Sequence, residues 1–120
     1  MAPREISKLL FTSVYPLYVQ KAQRKNRTQE EVDAVIGWLT GYSRADLARF
    51  SAEPIDFQAF FDRAPALNPA RARITGTVCG VRVEDIQDPM TQNIRYLDKL
   101  VDELAKGRPL ARILRTAEGG

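Results

Sequence analysis

The sequence predicts an all-α protein of six or seven short helices, and three observations carry that expectation. Residues that start helices (Thr28 with Glu31, Ser43, Asp56, Asp88) recur ahead of apolar residues spaced three and four apart. Glycines and prolines fall where those patterns stop. A pattern that would also suit strands arises in only one segment, 71–83. No repeat or low-complexity linker divides the chain. Residues 1–120 are therefore expected to form a single domain, with 1–11 and 116–120 peripheral or frayed.

Taken in order, the first helix is expected from "TSVYPLYVQKAQRKNR". Thr12 or Ser13 can cap it and Pro16 is tolerated in the first turn. Lys25 and Asn26 mark its end, where basic residues suit the negative end of the helix dipole. Leu9, Leu10 and Phe11 are expected to tuck onto the core. Thr28 and Glu31 form a capping box for the second helix, whose inner stripe is Val32, Val35, Ile36 and Leu39 and whose left-handed terminator is Gly41. Trp38 can bury roughly 200 Å², worth up to about 5 kcal/mol, and is read as core rather than as a ligand platform. Ser43 caps "SRADLARFSA" and Asp56 caps "DFQAFFDRA", where Phe57, Phe60 and Phe61 cluster between Pro54 and Pro65.

Asn68 and Pro69 form a cap and first-turn proline for "ARARITGTVCGV". Ile74, Val78 and Val81 have helical spacing, which favours a helix ending near Gly80. The β-branched residues of 71–83 leave a β-ribbon as the main alternative. Asp88 and Pro89 then open the longest helix, near 89–106, with Gly107 as terminator. "RPLARILR" adds a short basic helix with Leu110, Ile113 and Leu114 inward.

With 120 residues the chain can bury roughly two thirds of its unfolded surface. Its 44% hydrophobic and 28% charged residues are ordinary for a globular protein. No apolar run approaches the ~20 residues of a membrane span. The N-terminus has a charged start without a continuous apolar core, so a cytoplasmic location is expected. There is no histidine, which excludes Ser/His/Asp triads, Cys/His dyads and histidine-containing zinc sites. Glycine-rich phosphate loops are missing too. The single cysteine, Cys79, has apolar neighbours and is expected to be buried and unreactive. No cofactor, metal ligand or catalytic residue is therefore assigned.

Net charge is +3, distributed in alternating blocks: +5 over 1–27, −5 over 28–62, +4 over 63–83, −4 over 84–103 and +3 over 104–120. Such blocks suit internal or partner complementarity better than a nucleic-acid face. If nucleic acid were the ligand, Lys21, Arg24, Lys25 and Arg27 of segment 21–27, with Arg112 and Arg115 of segment 108–115, would contact it. A helix-turn-helix around "TGYS" is disfavoured because its second helix lies in the acidic block.

Placing residues 90–106 at about 100° per residue separates two sides. Met90, Ile94, Leu97, Leu100, Val101, Leu104 and Ala105 share one, with Tyr96 at its margin. Arg95, Asp98, Lys99, Asp102, Glu103 and Lys106 share the other and are expected to be a solvated face, paired as Arg95–Asp98, Lys99–Glu103 and Asp102–Lys106. Asn93 projects into the apolar side and needs a partner there. Glu84, Asp85 and Asp88 are the alternative acidic cluster, but their spacing lacks the glycine and terminal Glu of a calcium loop. Tyr15, Tyr18, Tyr42 and Tyr96 are expected to donate structural hydrogen bonds.

Four ordered motifs, "SVYPLYVQKA", "WLTGY", "CGVRVEDIQDP" and "IRYLDKLVDELAKG", resemble the small bacterial proteins of domain of unknown function family 2200 from about Ser13 to Leu114. The resemblance implies a small, mainly helical orthogonal bundle and carries no catalytic or binding residues with it.

The leading expectation is a non-enzymatic helical protein acting through protein contacts, as a homodimer. Asn93, Tyr96, Leu97, Leu100 and Trp38 are its candidate interaction residues, motivated by the apolar side of the 89–106 helix. The alternatives are a nucleic-acid binder on the basic segments and a small carboxylate enzyme using Glu84, Asp85 or Asp88. A membrane partner is not expected.

Overall fold

Helix starts are set by side chains that satisfy the first free N–H groups. In the computed structural model, which describes residues 8–78 and 80–114, Thr28 and Glu31 close the expected capping box: Glu31 N–H donates to Thr28 Oγ1 at 3.1 Å and Thr28 N–H to Glu31 Oε1 at 3.0 Å. Ser43 closes a second box with Asp46, and the side chains of Asp56, Asn68 and Asp88 each accept one early N–H of the helix they open. The helices are α1 (Phe11–Gln23), α2 (Gln29–Thr40), α3 (Arg44–Arg49), α4 (Phe57–Asp62), α5 (Pro89–Ala105) and α6 (Leu110–Ile113). Two 3-10 turns, Pro69–Arg73 and Val83–Asp85, flank a ribbon of β1 (Thr77–Val78) and β2 (Val81–Arg82). The protein is a small, mainly helical bundle with one two-stranded ribbon among the described residues.

The helix expected to run on to Gly80 is replaced by the ribbon, antiparallel with Val78 opposite Val81. Gly76 and Gly80 have φ of 106° and 80°, a left-handed backbone that no α-helix can pass through. Of the residues with helix-like spacing, Ile74 and Val78 face inward but Val81 is exposed, and Val83 is buried instead. Cys79 lies outside the described residues.

Helix α1 begins two or three residues earlier than a cap at Thr12 or Ser13 would place it. Leu10 occupies the N-cap position, which puts Pro16 inside the helix and not in its first turn. Thr12 does not cap. Its hydroxyl donates to Phe50 O and accepts from Ile55 N–H, sewing α1 to the segment before α4. Neighbouring backbone pairs, Phe11 N–H to Ile55 O and Phe57 N–H to Leu9 O, hold the α1 entry in extended form. Phe11 is buried there, whereas Leu9 and Leu10 are exposed against expectation. The far end closes on Asn26 at φ 64°, with Arg27 N–H donating to Ala22 O and Asn26 N–H to Gln23 O.

Gly41 ends α2 as expected, at φ 84°. A Cβ there would also lie 2.8 Å from Ala66, because the 64–68 loop folds back on the helix end. Ala66 N–H, Asn68 N–H and Asn68 Nδ2 cover the free carbonyls of Thr40, Leu39 and Trp38.

Helix α5 is the hub, packed against α1, α2, α4, α6, β1 and the second 3-10 turn. One contiguous core runs from Phe11 to Ile113. Its aromatic end stacks Phe11 on Phe60 at 4.0 Å between ring centres, with Phe50 and Phe57 edge-on around them.

Candidate functional site

The charged side of α5 is not the solvated face its spacing predicts. Asp98 accepts the Tyr18 hydroxyl of α1 at 2.6 Å and Arg95 Nη1 at 2.9 Å. Asp102 accepts Lys21 Nζ at 3.3 Å and Lys106 Nζ at 3.1 Å. The Arg95–Asp98 and Asp102–Lys106 pairs form as expected. Lys99 instead reaches Thr77 O at 3.1 Å. Glu103 is 3% exposed, near the reversal where Arg108 N–H donates to Glu103 O and α6 folds back on α5 and α2. These acids therefore join helices and are not arranged as a reacting pair.

Of the candidate interaction residues, Leu97 and Leu100 have no exposed surface. The apolar side of α5 that motivated them is consumed inside the chain. Trp38 is half-buried against the core. Asn93 and Tyr96 do come together, in a cleft of about 290 Å³ with Pro69, Arg71, Ala72, Pro89 and Gln92. Arg71 Nε donates to Asn93 Oδ1 at 3.2 Å, the partner that the placement of Asn93 demands.

The basic residues divide. Arg27 grips Glu31 at 2.7 Å, and its Nη1 donates to Leu104 O and Arg108 O, fastening the start of α2 to the end of α5. Glu31 raises the Arg27 pKa through that hydrogen bond and is itself lowered by it. Lys21 is engaged by Asp102, whereas Arg24, Lys25 and Arg112 are exposed. Arg115 lies outside the described residues. Of the acidic cluster, Glu84 accepts Gly76 N–H and Arg82, and Asp88 is held by Thr91. Their pKa values are lowered by these bonds, in the opposite sense to a poised general acid. No three His, Cys, Asp or Glu residues among those described are grouped to hold a metal ion. No described helix is long and apolar enough to cross a membrane.

Two features escaped the sequence reading. Asp33, buried on α2, accepts the Tyr15 hydroxyl and pairs with Arg44 at 3.4 Å, while Gln29 donates to Tyr15 at 2.9 Å. The cleft there measures about 420 Å³. Burial, reinforced by Asp33, pushes the Tyr15 pKa up to about 12, so its phenol stays protonated at neutral pH. The second feature is an apolar strip along α1. Leu10, Val14 and Leu17 follow one another at i, i+4 and i+7, and Leu10 and Leu17 are 43% and 58% exposed. Val14 and Leu17 enter a cleft of about 250 Å³ with Tyr18, Lys21, Val78, Asp98 and Val101, and Val81, opposite Val78 in the ribbon, is exposed as well. The signal for the strip was an excess: α1 carries more apolar residues than one buried face can use.

Comparison with known proteins gives two findings. A model for a family described as "Uncharacterized protein conserved in bacteria (DUF2200)" matches residues 5–115. A crystal structure of uncharacterized protein SP1917 is similar at 41% identity and a TM-score of 0.88, over 98% of this chain and 96% of that one. No curated protein matches.

Proposed function

The chain belongs to the DUF2200 family, and from that premise we propose that it is a cytoplasmic, non-enzymatic helical protein acting through contacts with other proteins. The observation that carries this reading is the apolar strip of α1, where Leu17 is 58% exposed beside the cleft to the ribbon. Exposed leucines aligned on one helix side are a contact surface of the kind that association covers. The reading is also supported by how the polar groups are used. Asp98, Asp102, Glu84 and Asp88 hold helices and turns in place, and Tyr15 is stabilised as a neutral phenol.

The contact surface thus moves from α5, whose leucines are enclosed, to α1. A second copy of the chain is the first partner to test, since a strip on one helix can pack against its own two-fold mate. Sedimentation of the wild type is expected to give a dimer at high micromolar concentration that Leu17→Lys converts to a monomer. A wild type that stays monomeric at that concentration overturns self-association.

A further inference from the structure

Three of the four tyrosines spend their hydroxyls inside the fold: Tyr15 on Asp33, Tyr18 on Asp98 and Tyr42 on Phe60 O at 2.7 Å. Tyr96 differs. It is 6% exposed, yet its hydroxyl has no hydrogen-bond partner among the described residues, and it lines the cleft between the first 3-10 turn and α5. Its ring is enclosed while its hydroxyl opens on the cleft, where it is left to donate to an occupant.

The groups around it are also donors. Arg71 is half-buried and uses two of its five N–H groups, Nε on Asn93 Oδ1 and Nη1 on Asn68 O at 2.9 Å. It forms no ion pair with a described residue, so its charge is not neutralised within the fold. Because the Arg71 N–H requires the oxygen of Asn93, the Asn93 amide group is oriented, and its Nδ2 is left with no partner among the described residues. Gln92 holds the floor by donating to Val83 O at 3.0 Å. Pro69, Ala72 and Pro89 make the remaining walls apolar, and no acidic residue lines the cleft.

We propose that this cleft is a binding site for a small monocarboxylate, with Arg71 as the charge partner, Asn93 Nδ2 and the Tyr96 hydroxyl as further donors, and the proline walls enclosing its apolar body. About 290 Å³ suits a small acid and not a nucleotide. The flat edge of a single guanidinium matches a carboxylate. A singly charged ligand is favoured over a doubly charged phosphate because Arg71 is the one charged residue lining the cleft. The site lies apart from the α1 strip and does not depend on it: no residue is shared between the two clefts.

The test is a titration of the ¹⁵N-labelled full chain with sodium benzoate, following the Arg71 Nε–H and Asn93 Nδ2 signals. Saturating shifts at millimolar benzoate are expected, not reproduced by sodium chloride at equal ionic strength and weaker with inorganic phosphate. Tyr96→Phe keeps the ring and deletes the donor, so it should weaken benzoate binding about ten-fold, while Arg71→Gln should abolish it. Shifts that never saturate, or phosphate binding more tightly than benzoate, overturn the assignment. So does a Tyr96→Phe variant with unchanged thermal unfolding that binds benzoate as the wild type does.

Discussion

On one side of α5, Ile94, Leu97, Leu100 and Leu104 are enclosed by apolar neighbours. On the other, the Asp98 and Asp102 side chains retain 16% and 18% of their exposure and are covered by Tyr18 and Lys21 of α1 together with Arg95 and Lys106 of α5 itself. The first side gains from every methylene removed from water, about 25 cal/mol per Å². The second exchanges hydration for a few charge-assisted hydrogen bonds, whose net yield is small because desolvation opposes it. One helix is thus anchored by area on one side and oriented by pairing on the other. The pairing fixes where α1 lies, and with it the strip that α1 presents.

The comparison is sharpest where the area term is removed. Leu100→Ala deletes a fully enclosed side chain at the hub and should cost about 2–5 kcal/mol, the usual range for a core leucine that leaves a cavity. Urea unfolding followed by circular dichroism reads this directly. A loss below 1 kcal/mol would mean that the surrounding helices collapse into the space and that α5 is less of a hub than its contacts imply.

The orienting side is broken most gently by Tyr18→Phe, which keeps the ring in the core and deletes its hydroxyl. The bond lost runs to a carboxylate, so about 1.5–3 kcal/mol is the ceiling. Arg95 remains on Asp98, which places the expected loss at about 1.5 kcal/mol, the low end of that range. Urea midpoints of the two variants rank the sides. Equal losses from Tyr18→Phe and Leu100→Ala would show that the acidic side anchors as strongly as the apolar one.

The apolar side was readable from spacing alone, because a leucine at i, i+3, i+4 and i+7 needs only the helix it sits on to declare its direction. So were the caps: Thr28, Ser43, Asp56 and Asp88 act on N–H groups within three residues of themselves. What the chain hid depends on residues far away. Arg27 reads as one of a basic run, yet it reaches carbonyls 77 and 81 residues on. Asp98 and Asp102 read as solvated until Tyr18 and Lys21, 80 and 81 residues earlier, are laid over them. Segment 71–83 was ambiguous for a different reason: Ile74, Val78 and Val81 have helical spacing while its β-branched residues suit a ribbon, and only the positive φ of Gly76 and Gly80 decides for the ribbon. In the clefts, Asn93 and Tyr96 could be named from the wheel, whereas Arg71 and Asp33 could not, since nothing local marks either as enclosed.

The smallest effect should be the most specific to the pairing, and it is seen in pH. Burial would raise the Asp102 pKa, but the hydrogen bonds from Lys106 and Lys21 outweigh it and hold the value below the usual carboxylate range. The unfolded chain, with an ordinary Asp near pKa about 3.9, then takes up a proton before the folded chain does. The stability this pair contributes is therefore present at neutral pH, starts to fall as pH drops toward the unfolded value, and is gone once pH passes below the folded one. Urea midpoints measured from pH 7 downward should fall less steeply in Asp102→Asn than in the wild type, with the two curves converging at the acid end. Parallel curves would mean that Lys21 and Lys106 do not hold Asp102 in solution, and that α1 is oriented by Tyr18 and the core without help from this pair.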